Sequence, residues 1–161
     1  RMSEIRIGNG FDVHRLENGA NIILCGVKIT HNKKLIGHSD ADVGLHSLTD
    51  AILGALGKGD LGRWFPPSDL QWRNADSAIF LIKALKLMKQ EKFFIANIDM
   101  TFICEQPKIT KYHEKMTVHL AKLCGIQPGK INIKATTSEG LGYTGREEGI
   151  AVLTSLLLQK E

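Results

Sequence analysis

The sequence predicts a domain in which strands and helices are mixed, and three observations carry that reading. Ile98, Met100 and Phe102 alternate with Asp99 and Thr101 at the period of a half-buried strand, and similar runs occur elsewhere. Leu45, Leu48, Ile52 and Leu56 recur three and four apart, as on an amphipathic helix, and two later segments repeat that period. At 161 residues the chain can bury one core, so a single domain over residues 1–161 is expected.

Composition narrows the class. Arg1 precedes Met2 and is read as a leftover of expression. No apolar run approaches a membrane span and no signal peptide, repeat or low-complexity segment is visible, so a soluble, cytoplasmic protein is expected. Cys25, Cys104 and Cys124 are odd in number, far apart and without C-x-x-C spacing, which argues against disulfides or a thiolate metal site. The net charge is +4, yet the lysines are spread over helices rather than clustered with aromatics. That distribution suits a small phosphorylated substrate better than nucleic acid or a membrane.

In chain order, Ile5 to His14 reads as a first strand, with Ile5, Ile7 and Phe11 buried and glycines at 8 and 10 where the backbone bends or is approached closely. Glu17-Asn18-Gly19 signals a turn. An apolar run from Ile22 to Val27 and a loop through Lys33 and Lys34 then form an edge strand pair leading to His38. Ser39, followed three residues later by Asp42, marks a helix start, with His38 just before it where free N–H groups favour an anion. On this helix Asp42, His46 and Asp50 share a face beside the apolar one; taken alone, the stretch fits a capped surface helix with solvated acids equally well.

Gly57 closes that helix, Gly59 to Gly62 turns tightly, and Trp64 to Asp69 is expected to be a mobile loop. A second helix should run from a cap at Asp76 to Lys92 with Ala78, Ile82, Leu85 and Met88 inward. Phe94 to Cys104 is a strand. A third helix spans Ile109 to Cys124 through Tyr112, Met116, Leu120 and Leu123, and stops at Gly125; its His113 and His119 are read as ordinary helix residues rather than ligands. Ile131 to Thr136 is a strand entering a loop rich in glycine and hydroxyl groups, with Glu139 and Arg146, a composition suited to phosphate and divalent metal. The last strand, Gly149 to Leu158, is apolar on both faces: Ile150, Val152, Leu156 and Leu158 point one way, Ala151, Leu153 and Leu157 the other. Three helices cannot cover both faces of a sheet, so protein from another copy is expected to cover one.

Asp12 and His14 are two apart in an extended segment and point to the same side. With His46 they make two imidazoles and a carboxylate, the ligand set typical of a catalytic zinc with an open fourth position. One of Asp42 and Asp50 is expected to orient a histidine ligand.

Gly8-Asn-Gly-Phe-Asp-Val-His14, His38-Ser-Asp-Ala-Asp42 to His46, Gly59-Asp-Leu-Gly62, and Lys134-Ala-Thr-Thr-Ser-Glu139 to Gly142-Tyr-Thr-Gly-Arg146 follow one another in an order and spacing that closely resemble the 2-C-methyl-D-erythritol 2,4-cyclodiphosphate synthase family, from Arg6 to about Leu157. The resemblance implies an α+β, chorismate-mutase-like subunit with a mixed β-sheet and helices on one face, assembled as a homotrimer with its sheets around a central axis and its active sites between subunits. It implies the conversion of 4-diphosphocytidyl-2-C-methyl-D-erythritol 2-phosphate to the cyclic diphosphate with release of CMP, a step of non-mevalonate isoprenoid precursor synthesis that needs no protein nucleophile.

By the family pattern Asp12, His14 and His46 hold Zn2+, and Glu139 reaches a second divalent ion, Mg2+ or Mn2+. His38 and Thr137 match the positions that steady the transition state, and Ser39 follows the phosphate. Asp60 and Gly62 match the stretch that holds the methylerythritol hydroxyls, with Phe65 to Asp69 the lid beside it. The cytidine pocket corresponds to Cys104, Glu105, Gln106, Pro107 and Lys108, with Thr136, Ser138, Tyr143 and Arg146 nearby. The Cys104-Glu105-Gln106 run, where relatives carry small residues, and Tyr143 in place of a phenylalanine are departures at contacts made by backbone or ring face. A zinc phosphoesterase and a non-catalytic trimer that binds nucleotides are the rival readings, separated from the first by whether CMP appears together with a cyclic product.

Overall fold

The computed structural model describes residues 3–161, so the reading of Arg1 lies outside the described residues. Among these residues the elements run β1 (Ile5–Asn18), β2 (Asn21–Leu24), β3 (Val27–Thr30), β4 (Lys33–Ile36), α1 (Val43–Ala55), α2 (Leu61–Trp64), α3 (Ala78–Gln90), β5 (Phe93–Ile103), α4 (His113–Cys124), β6 (Ile131–Thr136), α5 (Gly142–Gly145) and β7 (Gly149–Lys160). The strands make a mixed five-stranded sheet in the order β4-β1-β7-β5-β6, antiparallel except for β5 and β6. That parallel pair needs a crossover, and α4 supplies it. The fold is α+β, with a mixed sheet and the long helices on one face.

The pleat decides what the helices cover. On β7, Ile150, Val152, Thr154, Leu156 and Leu158 are buried, and on β5 so are Ile98, Met100 and Phe102, all within one core with Leu45, Leu48, Ile52, Leu81, Met116 and Leu120. Ile5, Ile7 and Phe11 do not join it. They are 60%, 77% and 50% exposed, because β1 turns Gly8 and Gly10 toward α1 and these three toward the opposite face. Apolar alternation says that a strand has two unlike faces; here the glycines mark the helix side.

α1 lies on β1 at backbone contact distance. A Cβ on Gly8 would sit 2.0 Å from the Ala51 carbonyl oxygen, and one on Gly10 would sit 1.9 Å from that of Ser47. The buried Ser47 hydroxyl fastens the contact, 3.1 Å from the Gly10 carbonyl, 3.2 Å from that of Val152 and 2.7 Å from the Thr154 hydroxyl.

Three other boundaries differ from expectation. The run Ile22 to Val27 is a hairpin rather than one strand: Cys25 and Gly26, both at positive φ, make the turn between β2 and β3. The lysine-bearing loop is the strand β4, paired with β1. On α3 the buried face is Phe80, Leu81, Ala84, Leu85, Leu87 and Met88, whereas Ile82 is 54% exposed. All three cysteines are free and buried, as expected of apolar fillers. No helix among the described residues is long and apolar enough to cross a membrane.

The α1–β1 contact yields a stability prediction. Gly10→Ala places a methyl group inside the Ser47 carbonyl and should cost about 1–3 kcal/mol or more in denaturant unfolding. Gly54→Ala, in the same helix but with its Cβ an ordinary 3.7 Å from the Asn9 carbonyl, should instead stabilise by about 0.5–1 kcal/mol.

Candidate metal centre

Gly10 sets the depth of α1 against β1, and two and four residues further along the same face of the strand lie Asp12 and His14. His46, beside the anchoring Ser47, comes down onto them. The three ligand atoms form a triangle: His14 Nε2 to His46 Nδ1 is 3.0 Å, Asp12 Oδ2 to His14 Nε2 3.0 Å, and Asp12 Oδ2 to His46 Nδ1 3.2 Å. Among the described residues this is the group of histidine, cysteine and acidic side chains close enough to share a metal ion.

The hydrogen bonds behind the rings fix where their lone pairs point. His14 Nδ1 lies 3.1 Å from the Ile36 carbonyl, which can only accept, so Nδ1 carries a proton and Nε2 of the neutral ring is the acceptor facing Asp12. His46 Nε2 lies 2.7 Å from the Ser77 hydroxyl and 3.1 Å from that of Ser39. Ser77 Oγ donates to Asp40 Oδ1, so its one proton is committed there and His46 Nε2 must donate to Ser77. Nδ1 of His46 is then also an acceptor. Three acceptors near 3 Å from one another require a proton or a cation between them, and a divalent ion with bonds of about 2.0–2.1 Å spaces tetrahedral ligands about 3.3 Å apart. The donor set fits a metal.

Protonation tells the same story. Burial pushes the Asp12 carboxyl up, but the hydrogen bonds and charges of His14 and His46 outweigh it and bring the pKa down to about 2. Burial pushes His14 down, and the Asp12 hydrogen bond and charge outweigh that, leaving its pKa raised.

Asp12, His14, His38, Ser39, His46, Leu61, Phe65, Pro67, Trp72 and Phe80 line a pocket of about 150 Å³ over the triangle. Phe65, Trp72 and Phe80 stack edge-on and tilted beside His46, which screens that flank from water. The expected loop, Trp64 to Asp69, carries no regular element past Trp64, whereas the tight turn expected before it leads into the short helix α2. Asp60 caps α2, accepting from the Arg63 amide, Gly62 lies within α2, and Asp69 caps the turn Leu70–Trp72 by accepting from Gln71.

The second group of expected residues lies elsewhere. Cys104, Pro107, Lys108, Thr136 and Thr137 line a separate pocket of about 150 Å³ where β5 and β6 end together. Glu105 accepts from the Ser138 amide, and the Ser138 hydroxyl lies 2.7 Å from that of Thr144, which shapes the loop beside it. Gln106 is exposed between Glu105 and Pro107. Glu139 is exposed at positive φ, Tyr143 lines a cleft with His14 and Arg15, and Arg146 is paired with Glu148. Along the sheet Asp12, Val152, Phe102 and Ala135 stand in register on β1, β7, β5 and β6, so three strand spacings, roughly 14 Å, separate the two pockets.

Two expectations are corrected. Neither Asp42 nor Asp50 is hydrogen-bonded to a histidine among the described residues. Asp42 is the α1 N-cap, buried, accepting from the amides of Leu45, Cys25 and Gly26 at 3.0, 2.8 and 2.7 Å; it clasps the β2–β3 turn to the helix, and burial pushes its carboxyl up to about 6 despite those bonds. Asp50 accepts from the Leu61 amide at 2.7 Å and holds the start of α2. The groups behind the rings are Ile36, Ser77 with Asp40, and Ser39; of these only Ser39 is among the expected site residues. Asp76-Ser77 before an apolar run reads as an ordinary helix cap, yet Ser77 is the N-cap of α3 without a side-chain capping bond, its hydroxyl being turned to Asp40 and His46.

Comparison with known proteins matches this geometry. The YgbB family model covers residues 5–159. The chain is 55% identical over 157 residues to a protein from Cereibacter sphaeroides named 2-C-methyl-D-erythritol 2,4-cyclodiphosphate synthase, covering 97% of this chain and 99% of that one. It is also 55% identical over 157 residues to the "Bifunctional enzyme IspD/IspF" of Paracoccus denitrificans, covering 98% of this chain but 41% of the relative, so it spans about two fifths of such bifunctional proteins. Among solved structures, the bifunctional IspDF of Campylobacter jejuni superposes with a TM-score of 0.95 at 42% identity, over 99% of this chain and 43% of that one, and the Plasmodium falciparum IspF–CDP complex with 0.87 at 34%, over 100% and 99%. With the match spanning nearly every described residue, the chain belongs to the YgbB family.

Proposed function

We propose that this protein converts 4-diphosphocytidyl-2-C-methyl-D-erythritol 2-phosphate to 2-C-methyl-D-erythritol 2,4-cyclodiphosphate and CMP. The observation that carries the reading is the acceptor triangle of Asp12, His14 and His46 at the floor of a pocket rimmed by His38 and Ser39. Near full-length identity to a named synthase supports it.

An oxygen of the 2-phosphate attacks the β-phosphorus, the bond from that phosphorus to the oxygen bridging it to the α-phosphate breaks, and CMP leaves with that oxygen. Two anions must meet, so positioning and charge neutralisation dominate the barrier. Zinc held by Asp12, His14 and His46 would supply Lewis acidity to a β-phosphate oxygen. His38 and Ser39 present an imidazole and a hydroxyl to the same pocket, where His38 steadies the transition state and Ser39 follows the phosphate, and the Phe65–Trp72–Phe80 wall excludes water that would divert the reaction to hydrolysis. Asp60 and Gly62 meet the methylerythritol hydroxyls, with Phe65 and Asp69 beside them. Cys104 to Lys108, Thr136, Ser138, Tyr143 and Arg146 form the nucleotide half, Thr137 beside them steadies the transition state, and a relative's structure with CDP supports a nucleotide ligand. Glu139 would help hold a second ion, magnesium or manganese, which would neutralise phosphate charge.

The separation of the two pockets within one chain favours a trimer of chorismate-mutase-like subunits. The sheet face away from the helices carries Ile5, Ile7, Phe11, Val13 and Leu153, all exposed in the single chain. Covering each is worth about 1.5–3 kcal/mol, and closed threefold symmetry would bring one subunit's metal pocket to another's nucleotide pocket.

Four outcomes test this reading. With the diphosphocytidyl substrate and magnesium, phosphorus NMR should show CMP and a cyclic diphosphate together; CMP with only linear phosphates would identify a phosphoesterase instead. Leu153→Asp should abolish assembly and activity together in sedimentation and turnover assays, and Glu139→Gln should raise the magnesium requirement while zinc stays bound. Zinc must displace the proton from His14, whose pKa is raised, whereas Asp12, at about 2, is already ionised at neutral pH. Apparent zinc affinity should therefore fall by about tenfold for each pH unit below the His14 pKa and level off above it.

A further inference from the structure

Behind the metal triangle runs a second chain of polar groups that the reaction does not call on. Asp40 accepts from three donors: the Ser77 amide at 3.1 Å, the Asp42 amide at 3.0 Å and the Ser77 hydroxyl. Ser77 is fully buried, and its oxygen lies 2.7 Å from His46 Nε2. A carboxylate only accepts, so the direction of every proton follows: Ser77 gives its proton to Asp40, and His46 gives the Nε2 proton to Ser77. The same residues knit two segments together. The His38 carbonyl accepts from the Asn74 amide at 2.6 Å and the Asp40 amide donates to the Ala75 carbonyl at 3.0 Å, so the segment bearing His38 and Ser39 is laced to the entry of α3.

We propose that Asp40 and Ser77 are positioning residues for the metal centre, a carboxylate–hydroxyl relay that holds the His46 proton on Nε2, turns the Nδ1 lone pair to the metal and sets His38 and Ser39 over it. The proposal rests on the reading of Asp12, His14 and His46 as metal ligands. An alternative is close at hand for the ring: Asp12 Oδ2, 3.2 Å from His46 Nδ1, would accept an Nδ1 proton in the metal-free protein. The relay decides against that form. Outer hydrogen bonds of this kind are typically worth about 10–100-fold in metal affinity or activity.

The relay differs from mere packing in what Asp40→Asn should do. An asparagine amide can donate to Ser77, whose proton then turns to His46 Nε2 and forces the ring proton onto Nδ1, the atom that must face the metal. The substitution is almost isosteric, so its effect is on proton direction rather than volume. Nitrogen-15 NMR of the metal-free protein, with the rings neutral, should show His46 in the Nε2–H form in the parent and largely in the Nδ1–H form in Asp40→Asn. Chelator competition should show zinc affinity lowered by about 10–100-fold in Asp40→Asn and Ser77→Ala, restored in large part by Ser77→Thr, which keeps the hydroxyl. Thr49→Ala, which removes a buried hydroxyl bonded to the Leu45 carbonyl in the same helix, should leave both readouts unchanged. The proposal is overturned if Asp40→Asn keeps the Nε2–H ring, if Asp40→Asn and Ser77→Ala both bind zinc within threefold of the parent, or if Thr49→Ala weakens zinc as much as they do. Because the ring form is read without metal, the relay stands or falls on it whether or not the parent takes zinc.

Discussion

The approach of α1 to β1 is the contact on which the site depends. Glycine at positions 8 and 10 lets helix backbone touch strand backbone, and Ser47 closes the gap with hydroxyl contacts to β1 and β7. Two carbonyls and two hydroxyls around Ser47 share few protons, so the arrangement has one good geometry and little tolerance. His46 precedes Ser47 and Asp12 follows Gly10 by two, so the position of the imidazole over the carboxylate is set by that geometry rather than by the weak attraction between the two groups. A rigid helix on a rigid strand holds ligands more closely than loops could.

What is held there is electrostatically uncomfortable. Two imidazole lone pairs and a carboxylate face one another because the groups behind them, the Ile36 carbonyl and the Ser77–Asp40 pair, leave each ring one place for its proton. A site that brings acceptors together before the ion arrives has already met the cost of assembling them, and the ion recovers it on binding. Folding stability and metal affinity are coupled through this strain. The elements supplying the restraint, the 38–42 segment and the entry to α3, also bear His38, Ser39 and the aromatic wall, so whatever moves one moves the others.

How much of this could be read from the residues varies with the range of the interaction. Asp12 and His14 were legible because the period of a strand puts them on one side within three residues, and His46 because helix spacing is similarly local. The face of β7 was legible for the same reason. The i, i+4 relation to His46 puts Asp42 on the ligand face, but a residue at an N-cap has left the helical wheel, and its carboxylate turns back to amides of the β2–β3 turn. Alternation alone puts Ile5, Ile7 and Phe11 in the core because it cannot say which face is covered; that depends on what glycine permits α1 to do. The β2–β3 hairpin was hidden because its turn uses Cys25 before Gly26 in place of the usual Asn or Asp. Ser77 and Asp40 were out of reach altogether, since a serine before a helix has a sufficient local explanation and its true partners lie 37 and 31 residues away.

The same distinction explains why one chain displays two separate pockets. Local rules build each pocket: a strand, a helix start and a loop around the metal triangle, and two parallel strand ends with their following loops around Thr136. No local rule joins them, because the sheet keeps β1 and β6 three strands apart. A substrate with a sugar phosphate at one end and a nucleotide at the other needs both, and a flat sheet cannot fold across itself to deliver them. On the proposed reading, rotation of a second copy against the apolar face does so, and the exposed Ile7, Phe11 and Leu153 supply the driving force while the geometry of the threefold supplies the registration. On that reading assembly would serve chemistry directly: the apolar surface left exposed in the single chain would be the surface that brings the other half of the site.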